Sequence, residues 1–112
     1  MALGKAAEDA AAAYLQKQGL RLVERNWRCK GGELDLIMRD GAVLVFVEVR
    51  ERNNARFGGA GASITTTKQA RLLHAARLYL AGQAAPPPCR FDAVLIEAGR
   101  LDWVRDAFGE TG

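Results

Sequence analysis

Apolar residues in the first stretch of the chain recur at helical spacing. In the alanine-rich run from Lys5 to Gln18, Ala7, Ala11, Tyr14 and Leu15 share a face and Gly19 follows as a C-terminal cap, which predicts a first helix. The period then changes. RLVERNW (21–27) alternates weakly and Gly31-Gly32 interrupts it; ELDLIMR (33–39) and AVLVFVEVRER (42–52) are strand-like runs separated by Asp40-Gly41, a strong hairpin signal. A three-stranded meander is expected. Residues 53–62 have three glycines and no period, and read as a loop. A second helix starts at hydroxyl caps between Ser63 and Thr67 and runs to about Ala81, before Gly82, with Leu72, Leu73, Ala76, Tyr79 and Leu80 as its buried stripe. Pro86 to Pro88 end the helical region and lead into RFDAVLIEA (90–98), and LDWVRDAF (101–108) supplies a last short strand.

The order α-β-β-β-α-β-β defines an α/β fold, a mixed β-sheet flanked by helices, in which the crossover through the second helix makes one strand pair parallel. A length of 112 residues, 49% hydrophobic and 26% charged, fits a single domain over 1–112 and excludes a collagen-like or disordered chain. No apolar run reaches the roughly 18 residues of a spanning helix and no signal-peptide core opens the chain, so a cytoplasmic protein with no membrane partner is expected. Cys29 and Cys89 have neither metal-ligand nor disulfide-framework spacing.

The net charge of +3 is unevenly placed: residues 21–77 hold eleven Lys/Arg against six Asp/Glu, whereas 78–112 hold three against five. Twelve of the sixteen basic residues are arginine, whose planar fork suits phosphate, so nucleic acid is the first partner to consider; a solvated basic surface is the plain alternative.

With Asp40-Gly41 as the two-residue turn, Asp35 faces Phe46 and Glu33 faces Glu48, and Glu33, Asp35, Glu48 and Arg50 project from one side of the hairpin. Leu34, Leu36, Val45, Val47 and Val49 form the opposite, apolar face. Like charges this close destabilise a sheet unless a cation compensates. A hard divalent ion answers the repulsion, because Mg²⁺ binds one or two carboxylates and retains waters that a phosphate substrate displaces. A structural network in which Arg50, Arg52 or Arg90 pairs with the acids answers it equally. Asp92, on a face with Val94 and Ile96, reads first as an ion-paired or hydrogen-bonded residue. The glycines of 58–61 lack the Lys-Ser/Thr ending of a nucleotide-binding loop and fit a substrate-contacting loop better, in which Arg52, Arg56 and Phe57 either touch phosphate and base or are solvated arginines beside a packed Phe. His74, the sole histidine, favours a surface or helix-packing role over nucleophilic catalysis. Trp27 and Trp103 are expected in the core.

The run GELDLIMRDGAVLVFVEVRER resembles the core of the PD-D/ExK nuclease superfamily. More closely, it resembles the bacterial YraN family of small predicted endonucleases, which are similar to archaeal Holliday-junction resolvases. The likeness extends to Arg25-Asn26-Trp27-Arg28, to Ser63-Ile64, to Lys68-Gln69-Ala70-Arg71-Leu72, to Tyr79-Leu80 and to Arg90-Phe91-Asp92. It implies a restriction-endonuclease-like fold and a metal-dependent DNA endonuclease acting on branched or structured DNA. Asp35 and Glu48 would hold Mg²⁺ or Mn²⁺, the Val49 carbonyl would assist, and Glu8 of the first helix would complete the site. Glu33 belongs to the matching motif without an assigned role. Arg50 stands where the superfamily has lysine, and arginine, with a pKa above about 12, cannot act as a general base. Lys68 could reach the site from the second helix, and Gln69, beside that helix's buried stripe, could point at the acids. Lys68, Arg71, Arg52 and Arg56 are the expected phosphate contacts. A homodimer would supply two active sites for a two-strand cut. The alternative is a nucleic-acid-binding module that has lost cleavage through Arg50.

Overall fold

Lys5–Lys17 forms helix α1, which buries Ala7, Ala11, Ala12 and Leu15 and ends at Gly19, whose φ of 102° suits glycine. The computed structural model describes residues 5–52 and 64–108. Within them follow β1 (Arg21–Cys29), β2 (Gly32–Asp40), β3 (Val43–Arg52), α2 (Thr66–Ala81), β4 (Cys89–Glu97) and β5 (Arg100–Phe108), in the expected element order. The strands lie side by side in chain order; β3 and β4 are parallel across the α2 crossover, and the other neighbours are antiparallel. Among the described residues no helix is long and apolar enough to cross a membrane.

The central strands are buried on both faces, which is why β3 reads as an almost continuous apolar run. Leu36, Met38, Val45, Val47, Val49, Val94 and Ile96 pack with α1. Leu34, Ile37, Leu44, Phe46 and Phe91 pack with Leu72, Ala75 and Ala76 of α2. The alanines of both helices let their backbones approach the sheet. Leu73, Tyr79 and Leu80 are only partly buried, and Ala75 belongs to the α2 stripe. Trp27 and Trp103 are half-buried at the margins of the two clusters. Thr65 caps α2 by accepting from the Lys68 N–H at 3.2 Å.

Two expectations need correction. The central residues of the hairpin turn are Gly41 and Ala42, not Asp40 and Gly41: Asp40 pairs with Val43, Arg39 with Leu44 and Ile37 with Phe46. Only Gly41, at φ 61°, takes a positive φ here, as befits a turn with glycine first, whereas a central Asp-Gly pair would require it at both residues. The register moves by two, which leaves Asp35, Glu48 and Arg50 at one cavity as expected but brings Asp35, rather than Glu33, level with Glu48. Leu34 is the second correction. It packs against α2 with Ile37, while Leu36 between them meets α1, so alternation breaks at Asp35.

The approach of α2 to β2 depends on Gly32. A Cβ there would lie 2.6 Å from the Arg71 carbonyl oxygen and 3.1 Å from the Ala75 Cβ. Gly32→Ala is therefore expected to cost about 1–3 kcal/mol, read as a lower denaturant midpoint. Gly82→Ala, whose nearest neighbour would be 3.7 Å away, should stay close to wild type. Equal stability of the two variants would refute the close packing of α2 on Gly32.

Candidate metal and phosphate site

The ladder between β2 and β3 is registered from the turn as far as Leu36 and Val47. Beyond that pair the Asp35 side chain takes the place of a backbone acceptor: its Oδ2 accepts the Val49 N–H at 3.0 Å. Glu48, 4% exposed, hydrogen-bonds to the Asp35 carboxyl. Burial first, and then the charge and hydrogen bond of Asp35, push the Glu48 carboxyl up to about 9 from 4.5, with Arg50 and Lys68 opposing. Arg50 nevertheless touches it, its Nη2 forming an ion pair with Glu48 Oε2. That contact does not reverse the direction, because the carboxyl is deeply desolvated and has a second carboxylate against it. The two acids thus lie against each other at the opening of the ladder. The Arg50 Nε is buried without a partner.

These groups line a cavity of about 1010 Å³. Asp35, Glu48, Val49 and Arg50 contribute from the sheet, Lys68, Arg71 and Leu72 from α2, and Lys5 and Glu8 from α1; Arg25, Arg28 and Glu33 close the β1 side. Desolvation and the nearby Arg50 hold the Lys68 ammonium below its ordinary range, with Arg52 and Arg71 adding to this and Glu48 opposing.

The structure thus brings Asp35, Glu48, Val49, Arg50, Lys68, Arg71 and Glu8 to one cavity. Glu8 is engaged there by Arg25, 3.6 Å away, and among the described residues no three His, Cys, Asp or Glu side chains form a metal-ligand cluster. Gln69 does not join the acids. Its Nε2 donates to the Ile64 carbonyl at 3.3 Å, because a side chain near the start of a helix can turn back to the incoming chain. Arg52 is exposed at the end of β3, close enough to influence Lys68. Arg56 and Phe57 lie outside the described residues. Glu33 pairs with Arg28 at 3.2 Å. His74 packs, as expected, with its Nε2 3.2 Å from the Lys30 carbonyl.

Asp92 lies apart from the cavity, with no exposure, in a network that the plain reading anticipates. Its Oδ1 accepts from Arg90 Nε and the Asp106 N–H, each at 2.9 Å. Its Oδ2 accepts from a second Arg90 nitrogen at 3.1 Å and from Trp103 Nε1 at 3.0 Å. Arg90 also reaches Asp40 at 3.0 Å. Sequence reasoning assigned no role to Asp9, 2.7 Å from Arg25, or to the cavity-facing side of β1. The acids of the first α1 turn and the arginines of β1 were the visible signal, but their meeting is tertiary.

The two carboxylates fit a divalent cation. They lie against each other, burial and mutual repulsion raise the Glu48 carboxyl, and their donor atoms are the hard oxygens that Mg²⁺ and Mn²⁺ prefer. Asp35 and Glu48 would be the ligands, with remaining positions open to water and phosphate.

A profile of the family described as "Uncharacterised protein family UPF0102" matches residues 7–96. The chain is similar to UPF0102 proteins of several bacteria. It is 62% identical to one from Cupriavidus metallidurans over 94% of this chain and 79% of the relative. The identity is 57% with one from Nitrosomonas europaea, over 96% and 94% of the two chains, and 57% with one from a Janthinobacterium species, over 93% and 85%.

Proposed function

We propose that this chain, which belongs to the UPF0102 or YraN family, is a metal-dependent endonuclease that hydrolyses phosphodiester bonds in DNA. The observation that carries the reading is the Asp35–Glu48 pair, two carboxyl groups side by side in a cavity rimmed by cations. Buried like charges are costly, and a site that keeps them together is suited to a cation. A bound Mg²⁺ or Mn²⁺ would neutralise phosphoryl charge and raise the acidity of water. Arg50, which lines the cavity and is always protonated, stabilises charge in the transition state; it does not accept a proton. Water adds at phosphorus and gives up a proton, one P–O ester bond breaks, and the leaving oxygen takes up a proton.

Among the described residues no element is obviously shaped to enter a groove and read bases, which favours recognition of backbone and shape. Branched DNA as the preferred substrate, a homodimer that pairs two sites, and a cytoplasmic location complete the proposal. A second reading, a binding module without cleavage, draws on one observation: Arg50 occupies the flank of Glu48 as its ion-pair partner and cannot act as a base.

The test uses labelled four-way junction, duplex and single-stranded DNA with Mn²⁺ or Mg²⁺. Cuts are expected from the wild type and from neither Asp35→Ala nor Glu48→Ala. Either metal should also raise the melting temperature of the wild type and leave that of Glu48→Ala unchanged. Binding without cleavage would transfer the case to the second reading, for which Arg50→Lys should then restore cutting.

A further inference from the structure

We infer that a nucleic-acid strand in this cavity is gripped through its phosphates from the α2 side, by Lys68, Arg71 and the neighbouring Arg52, and that the equally cationic α1–β1 side does not hold it. The inference rests on the endonuclease reading and adds where the substrate backbone runs.

The two sides differ in what already neutralises them. On the α1–β1 side, Asp9 lies 2.7 Å from Arg25 and 3.5 Å from Lys5. Glu8 lies 3.6 Å from Arg25, and Glu33 lies 3.2 Å from Arg28. Three cations there meet three carboxylates. On the other side no ion pair is formed by Lys68, Arg71 or Arg52 among the described residues, and Lys68 has Arg50, Arg52 and Arg71 around it with Glu48 as the opposing acid. A charge with a counter-charge within about 4 Å has little field at a phosphate farther off, since screening already limits the reach to about 8–10 Å. A phosphate approaching Arg28 must compete with Glu33. A phosphate approaching Arg71 displaces no carboxylate and relieves repulsion among neighbouring cations.

The carboxylates therefore act as masks, which predicts an unusual result: removing an acid should strengthen binding. The experiment measures fluorescence anisotropy of a labelled oligonucleotide across a salt series, with the full chain in EDTA so that cleavage plays no part. Arg71→Ala and Lys68→Ala should each weaken binding several-fold and lower the slope of log K against log salt by about one. The double variant Arg28→Ala/Glu33→Gln, which removes a cation together with its mask, should change neither quantity. Glu33→Gln should tighten binding and steepen the slope by about one, because it unmasks Arg28. Arg28 and Glu33 are both exposed at 76% and 41%, so neither substitution threatens the fold.

Equal losses from Arg28→Ala/Glu33→Gln and Arg71→Ala would overturn the inference, as would an unchanged slope in Glu33→Gln, while leaving the endonuclease reading intact. Intact asymmetry in a protein that cuts no DNA would overturn only the endonuclease reading. A wild type that binds no oligonucleotide would overturn both.

Discussion

Glu48→Gln in EDTA should melt above the wild type at pH 8, and the difference should close near pH 4. The Glu48 carboxyl is raised to about 9 in the folded protein, against 4.5 for the free side chain. Its protonated form thus contributes stability that is complete below about 4.5 and is lost as pH rises through about 9. Between those values the unfolded chain releases a proton that the fold retains. Glutamine fills the same space and has no proton to lose, so the variant escapes this penalty. Even one retained unit of the shift corresponds to about 1.4 kcal/mol. For a domain of this size that is about 4–8 °C in melting temperature. Mg²⁺ or Mn²⁺ should narrow the gap by stabilising the wild type alone, and the variant should cut no DNA. Coincident melting curves at pH 8 would show that Glu48 is ionised in the fold.

Asp92→Ala should do the reverse and remove most of the protein's stability. Truncation leaves Arg90, 19% exposed, without its main counter-ion and orphans the Trp103 indole N–H and the Asp106 amide. Breaking a buried ion pair from one side costs about 3–5 kcal/mol, and each stranded donor adds to it. Against a total of about 5–15 kcal/mol for a typical domain, a largely unfolded chain at 37 °C is the expected outcome, read by circular dichroism and urea titration. Asp92→Asn keeps an acceptor and should fall between. A well-folded Asp92→Ala protein would mean that water can replace the carboxylate.

The fold was legible because its period changes are abrupt. The Ala7, Ala11, Leu15 spacing, the apolar run of β3 and the Pro86–Pro88 break each determine an element through local preference and burial. The same logic placed Asp35, Glu48 and Arg50 on one face, and it survived a misplaced turn because the register error was even. What sequence could not convey depended on torsions or distant partners. The sign of φ at Gly41 sets the turn, and helical spacing gives Gln69 a face without saying that its amide turns back to Ile64. The donors to Asp92 include an amide beside a register shift in β5, where Asp106 has a φ of 52°, and no run of residues announces that irregularity. The pairing of Asp9 with Arg25 brings together a helix and a strand that share no periodic pattern.

Asp35 and Asp92 both accept a main-chain N–H from the adjoining strand. They differ in how many lone pairs remain. A carboxylate offers about four acceptor sites. Asp92 fills all four with Arg90, Trp103 and Asp106, so its valence is saturated and its role ends with the fold. Asp35 uses one on the Val49 amide and has Glu48 as its other contact, and its remaining capacity opens on the cavity. In this sheet, the distinction between a carboxylate that holds strands together and one that can hold a ligand comes down to unsatisfied valence.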